Sequence, residues 1–107
     1  MKIQIKPLSI NTCWQGKRYK TPKYKTYEKA LSLLLTPIKI DFKRHLSVHL
    51  TFGFSSTLSD IDNPLKPILD VLQKKYGFDD KQIFELNVKK EIVKKGDEFI
   101  ELTINEI

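Results

Sequence analysis

Residues 45–54 read His-Leu-Ser-Val-His-Leu-Thr-Phe-Gly-Phe. Leu46, Val48, Leu50, Phe52 and Phe54 take every second position, and His45, Ser47, His49, Thr51 and Gly53 take the others. Strict alternation of this kind predicts a β-strand with one buried face, because successive side chains of an extended chain point to opposite sides. Working toward the N-terminus, Thr36-Pro37 closes a helical pattern, since the residue before proline avoids the helical region. Thr21 suits that helix's cap and Pro22 its first position, and Tyr24, Tyr27, Leu31 and Leu34 recur at helical spacing. Residues 7–20 lack periodicity and read as a loop; residues 2–6 (KIQIK) read as a short strand.

Toward the C-terminus, residues 55–61 read as a loop off the long strand. A second helix is expected from about Pro64 to Tyr76, with Asp62 or Asn63 as its cap. Leu65, Ile68, Leu69, Leu72 and Tyr76 form its apolar stripe, and Gly77 is placed to stop it in a left-handed conformation. Pro67 sits near the limit of what a first helical turn tolerates. Residues 82–93 and 98–106 read as strands, with Phe84, Leu86, Val88 and Ile92 on one face of the first. Gly96-Asp97 between them suggests a hairpin. The order β-α-β-α-β-β predicts an α+β fold: a mixed sheet of about four strands with two helices packed on one face, in one domain over residues 1–107.

Charge is unevenly spread. Residues 1–59 carry a net +9 and residues 60–107 a net −3, for +6 overall. A basic half points to a polyanionic partner such as nucleic acid, although lysine-rich surfaces also serve solubility alone. The single cysteine, Cys13, rules out a disulfide within the chain and fits a reducing compartment. The longest apolar run, around Leu31–Leu35, is far shorter than the roughly 20 residues that span a bilayer. The N-terminus lacks the apolar core of a secretory signal, so a cytoplasmic protein with no membrane partner is expected.

The acids gather in residues 59–80, SDIDNPLKPILDVLQKKYGFDD. In an extended segment Asp60 and Asp62 project to the same side, just before a helix N-terminus. Paired anions need compensation, and a divalent cation such as Mg²⁺ supplies more of it than a helix dipole. Lys66 follows Asp62 by one turn and Asp70 follows Lys66 by another, on a polar stripe where Lys66 can meet charge developing on a phosphate. Each residue alone also has an ordinary account: a cap, a surface ion pair, a solvated turn. The EF-hand pattern fails, because Leu65 and Val71 stand at its glycine and glutamate positions. The histidines His45 and His49 lack the Cys or Glu neighbours of a zinc site, and no glycine-rich phosphate loop is present. Trp14 and Tyr19 suit base stacking, though a lone Trp is more often a packing anchor.

The run Asp60-Ile-Asp-Asn-Pro-Leu-Lys66-Pro-Ile-Leu-Asp70-Val-Leu72, followed by Gly77-Phe-Asp-Asp80-Lys-Gln82-Ile83, resembles the signature of RusA-type Holliday junction resolvases. That signature is D-x-D-N-x-x-K-x-x-x-D-x-L, then G-x-x-D-D-x-Q-[VI]. The chain departs from it in Pro64 and Pro67, and in one fewer residue after Gly77 than some members have. Leu102-Thr-Ile104 and Pro7-Leu-Ser-Ile-Asn11 also resemble family segments, and Gly16-Lys-Arg-Tyr19 lies where the family has basic residues. The resemblance implies a homodimeric endonuclease that resolves four-way DNA junctions by paired nicks in recombination and repair. It implies Asp60, Asp62, Lys66 and Asp80 as catalytic residues, the three aspartates holding Mg²⁺, with Mn²⁺ as a substitute. Asn11, Lys17, Arg18, Lys20, Lys23 and Lys25 are the expected DNA contacts. The competing expectations are a branched-DNA-binding protein without turnover and, less favoured, a module that reads anionic RNA or membrane surfaces.

Overall fold

In the computed structural model, residues 1–16 and 19–107 are described. Strands β1 (Lys2–Ile3), β2 (Trp14–Gln15), β3 (Tyr19–Lys20), β4 (Leu46–Phe54), β5 (Ile83–Ile92) and β6 (Phe99–Glu106) alternate with helices α1 (Pro22–Leu34) and α2 (Leu65–Tyr76). The expected α+β architecture is present: a four-stranded mixed sheet in the order β1-β6-β4-β5, with a small β2-β3 hairpin beside it. That hairpin lies inside the stretch read as loop. The initial strand is shorter than its alternation suggests, ending at Ile3, where the chain turns and Ile5 N–H donates back to Ile3 O at 2.9 Å.

The core forms where the apolar side of the sheet meets both helices. Leu46, Val48, Leu50 and Phe52 from β4 join Ile100, Leu102 and Ile104 from β6, and Tyr24, Tyr27, Leu31, Ile68 and Leu72 from the helices, all buried. In α1, Thr21 caps as expected, its Oγ1 accepting from the Tyr24 backbone N–H at 3.1 Å. Leu34 is half exposed and Leu35 takes the buried place, because the backbone turns extended at Leu35.

Three expectations are corrected. β5 and β6 do not form a hairpin: β4 lies between them, parallel to β5 and antiparallel to β6. The Gly96 turn is real, with Asp97 N–H donating to Lys94 O at 2.9 Å and Gly96 at φ 99°, but it carries the chain past β4. The physical reason is that β4 is the most apolar strand, and a central position buries both its edges. The helical crossover from β4 to β5 is also the connection that joins parallel strands. Second, neither Asp62 nor Asn63 caps α2 with its side chain; the helix begins after Pro64, whose ring is buried. Third, residues 61–64 form a turn, closed by Leu65 N–H donating to Asp62 O at 3.1 Å, so Asp60 and Asp62 do not alternate along an extended segment. Pro67 is accommodated because it falls in the first turn of α2, where backbone N–H groups have no helical acceptor.

Gly77 ends α2 as anticipated, at φ 70° with its N–H on Gln73 O at 2.8 Å. Gly53 has a different role. It faces Phe99 across β4 and β6, and a Cβ there would overlap the buried Phe99 ring. Gly53→Ala is therefore expected to cost about 1–3 kcal/mol in urea unfolding, and trimming the ring in Gly53→Ala/Phe99→Leu should recover part of it. An unchanged unfolding midpoint in the single variant would show that the ring simply moves aside.

Candidate active site

The site is built at both ends of α2. At its start, the loop from β4 delivers Asp60 and Asp62, both exposed. Asn63 Nδ2 donates to Asp60 Oδ2 at 3.3 Å, and Asn63 O accepts from Ile10 N–H at 2.8 Å. Asn63 thus holds Asp60 on one side and the N-terminal segment carrying Ser9 and Asn11 on the other. A cavity of about 480 Å³ opens beside this turn, lined by Asp60, Lys6, Lys23, Tyr27, Phe54 and Pro64 among others.

Along α2, Lys66 Nζ pairs with Asp70 Oδ1 at 3.0 Å rather than with Asp62. Lys66 is held above its ordinary pKa, first by the hydrogen bond to Asp70, then by that carboxylate's charge, with Asp80 adding a further attraction. Lys66 therefore stays cationic, and Asp80 lies within electrostatic reach of it. Asp80 is anchored at the other end, its N–H donating to Gln73 Oε1 at 3.0 Å. A shallow groove lined by Trp14, Lys20, Tyr24, Asp70, Gln73 and Lys74 runs along the same side of the helix.

The paired aspartates after Gly77 have separate tasks. Asp79 caps a short 3₁₀ turn over Asp80–Gln82, accepting from Lys81 N–H at 2.9 Å, while its own N–H donates to Gln82 Oε1 at 3.0 Å. The hydrogen bond from the Lys81 N–H, with that lysine's charge adding to it, holds the Asp79 carboxyl below its usual range. Its neighbour Asp80 is exposed, its backbone rather than its carboxylate held by Gln73.

Of the expected DNA contacts, Asn11, Lys23 and Lys25 are exposed. Lys20 is engaged in an ion pair with Glu28 at 2.9 Å, and Glu28 also accepts from Lys74 at 3.2 Å. Lys17 and Arg18 lie outside the described residues. Cys13 is fully buried, and its thiol is pushed up mainly by that burial, which suits packing rather than nucleophilic chemistry.

Two roles escaped the sequence reading, one of them that of a residue of the signature. Gln82 Nε2 donates to Phe42 O at 2.6 Å and to Arg44 O at 3.1 Å, tying the Asp80 turn to the segment that leads into β4. Lys90 Nζ donates to Ser59 O at 2.8 Å and Thr57 O at 3.3 Å, holding the loop that carries Asp60. Its signal was visible as a gap: Lys90 interrupts the apolar stripe Leu86, Val88, Ile92 on β5.

The candidate ligands are all carboxylates, the donors that suit a hard cation. Among the described residues, no three Asp, Glu, His or Cys side chains converge as a preformed metal cage. Mg²⁺ does not require one, since it is commonly held by one or two carboxylates with water and substrate phosphate completing its shell. The chemistry of the donors suits that ion, and Asp60, Asp62 and Asp80 are not brought together as one group.

Exposed carboxylates thus stand before and after a helix on which Lys66 pairs with Asp70. Residues 8–105 match the family described as Endodeoxyribonuclease RusA, and the chain belongs to that family. No curated protein matches it. Among the described residues, no helix is long and apolar enough to cross a membrane.

Lys90→Met keeps the aliphatic stem and removes the loop's clamp. It is expected to speed hydrogen exchange at residues 57–60 and to lower nuclease activity on the order of 10-fold, while changing stability by less than about 1 kcal/mol. Unchanged exchange in the loop would remove Lys90 from the site.

Proposed function

We propose that this protein is a Mg²⁺-dependent endonuclease that resolves four-way DNA junctions by paired, symmetric nicks, working as a homodimer in DNA recombination and repair. The observation that carries this reading is the RusA family match over residues 8–105. The charge of Asp80 bearing on Lys66, beside the Lys66–Asp70 pair, supports it.

In this reading Asp60, Asp62 and Asp80 hold the ion, which when bound supplies an activated water and neutralises phosphate oxygens. Lys66, kept charged by Asp70 and Asp80, exchanges its carboxylate partner for a scissile phosphate oxygen and steadies the negative charge that builds there. Asn63 orients Asp60. Lys90 fixes the loop that presents it. Lys17, Arg18, Lys20, Lys23 and Lys25, with Asn11, contact the sugar–phosphate backbone of the junction arms; Lys20 must release Glu28 to do so. A two-fold dimer sets two such sites on strands of like polarity.

The test is a labelled synthetic four-way junction incubated with the protein and Mg²⁺. Paired nicks are expected, abolished by EDTA and restored by Mg²⁺ or Mn²⁺. Asp62→Asn and Asp80→Asn should each lower cleavage on the order of 100-fold or more, and Lys66→Ala on the order of 100-fold, with junction binding in a gel shift retained. Binding without any product identifies a branched-DNA-binding protein instead. Junction affinity should also fall steeply with salt, roughly 1000-fold between 50 and 200 mM if at least six phosphates are contacted. A shallow salt dependence would exclude the lysines as the main DNA surface.

A further inference from the structure

β5 is an edge strand whose apolar side chains have no cover. Its register with β4 pairs Leu86 with Val48, Val88 with Leu50 and Ile92 with Phe54, so these three point to the same side of the sheet as the core. Yet Leu86 is 44% and Ile92 48% exposed, while Val48 and Phe54 opposite them are buried. The strand therefore presents an open backbone edge beside an apolar stripe, a combination that folded proteins normally protect.

We propose that this edge pairs antiparallel with β5 of a second copy of the chain, with the two-fold axis at Asn87. The proposal specifies the surface of the homodimer and rests on that part of the reading above. Two-fold antiparallel pairing places residues opposite one another whose numbers are symmetric about the axis. Centred on Asn87, it sets Glu85 against Lys89 twice, forming two opposite-charge pairs on the outer face. It also sets Leu86 against Val88 twice, making the apolar side continuous from one core to the other. Centring one residue later sets Glu85 against Glu91, and two residues later sets Lys89 against itself.

Lysines on an edge strand often serve only to repel other strands. Here both are accounted for otherwise. Lys90 is turned to the carbonyls of Thr57 and Ser59, and Lys89 has its complement in Glu85 of the second copy. Because Lys90 also holds the loop bearing Asp60, the dimer edge and the acidic turn share one strand.

Sedimentation with charge-swapped variants tests this. Lys89→Glu sets two carboxylates against each other at each pair and should weaken the dimer about tenfold, as should Glu85→Lys, with the double swap restoring it. Both positions are exposed, and circular dichroism verifies that the variants fold. Asn87→Cys should oxidise to a covalent dimer, and buried Cys13 does not compete. A wild-type chain that sediments as a monomer overturns the proposal. So does a dimer that is indifferent to the single swaps and forms no cross-link in the Asn87→Cys variant, which leaves the two-fold reading standing on another surface. Junction cleavage, scored separately, reports on the nuclease reading whichever way the dimer falls.

Discussion

The fold turns on the need to pair β4 on both edges. Its inward side chains, from Leu46 to Phe52, are almost wholly removed from water. A strand so apolar gains most at the centre of a sheet, where hydrophobic burial and both hydrogen-bond ladders are satisfied together. The direction of its neighbours follows from their connections. β5 arrives parallel after the α2 crossover, and β6 arrives antiparallel after the turn at Gly96. With β5 on one side and β6 on the other, both ends of α2 are fixed relative to the sheet.

The site's polar parts are then held by contacts that reach across the chain. Lys90 fixes the Asp60 loop from β5, Asn63 links that loop to the N-terminal segment, and Gln82 links the Asp80 turn to the approach to β4. Phe42 stacks on Tyr76 and Phe78 with centroids 5.1 and 5.8 Å away, packing the same approach against the end of α2. The charged side chains stay near solvent while their backbones are braced. In the proposed reading these carboxylates come together only around a cation, since several of them crowded together without a counter-charge would repel.

The adjacent aspartates show how context divides like residues. Asp79 is taken up as a cap, with its carboxyl satisfied by a backbone N–H. Asp80 keeps its carboxylate outward and acts at a distance on Lys66. Lys66 in turn prefers Asp70 to Asp62, because Asp70 lies one turn along the same helix whereas Asp62 sits in the turn before it.

The sequence by itself determined what depends on near neighbours. Alternation from Leu46 to Phe54 set β4, the caps at Thr21 and Gly77 set helix ends, and the spacing of Asp60, Lys66, Asp70 and Asp80 carried the family signature. Tertiary structure alone decided what depends on distant partners. It separated β5 from β6 despite a sound turn between them, because edge pairing of β4 outweighs a local turn preference. It bent residues 61–64 where an extended segment was expected, and it gave Lys90 and Gln82 their roles, since their acceptors lie 31 to 40 residues away in the chain. Local backbone preferences act over a few residues; strand order and long-range hydrogen bonds are fixed only when the whole core closes.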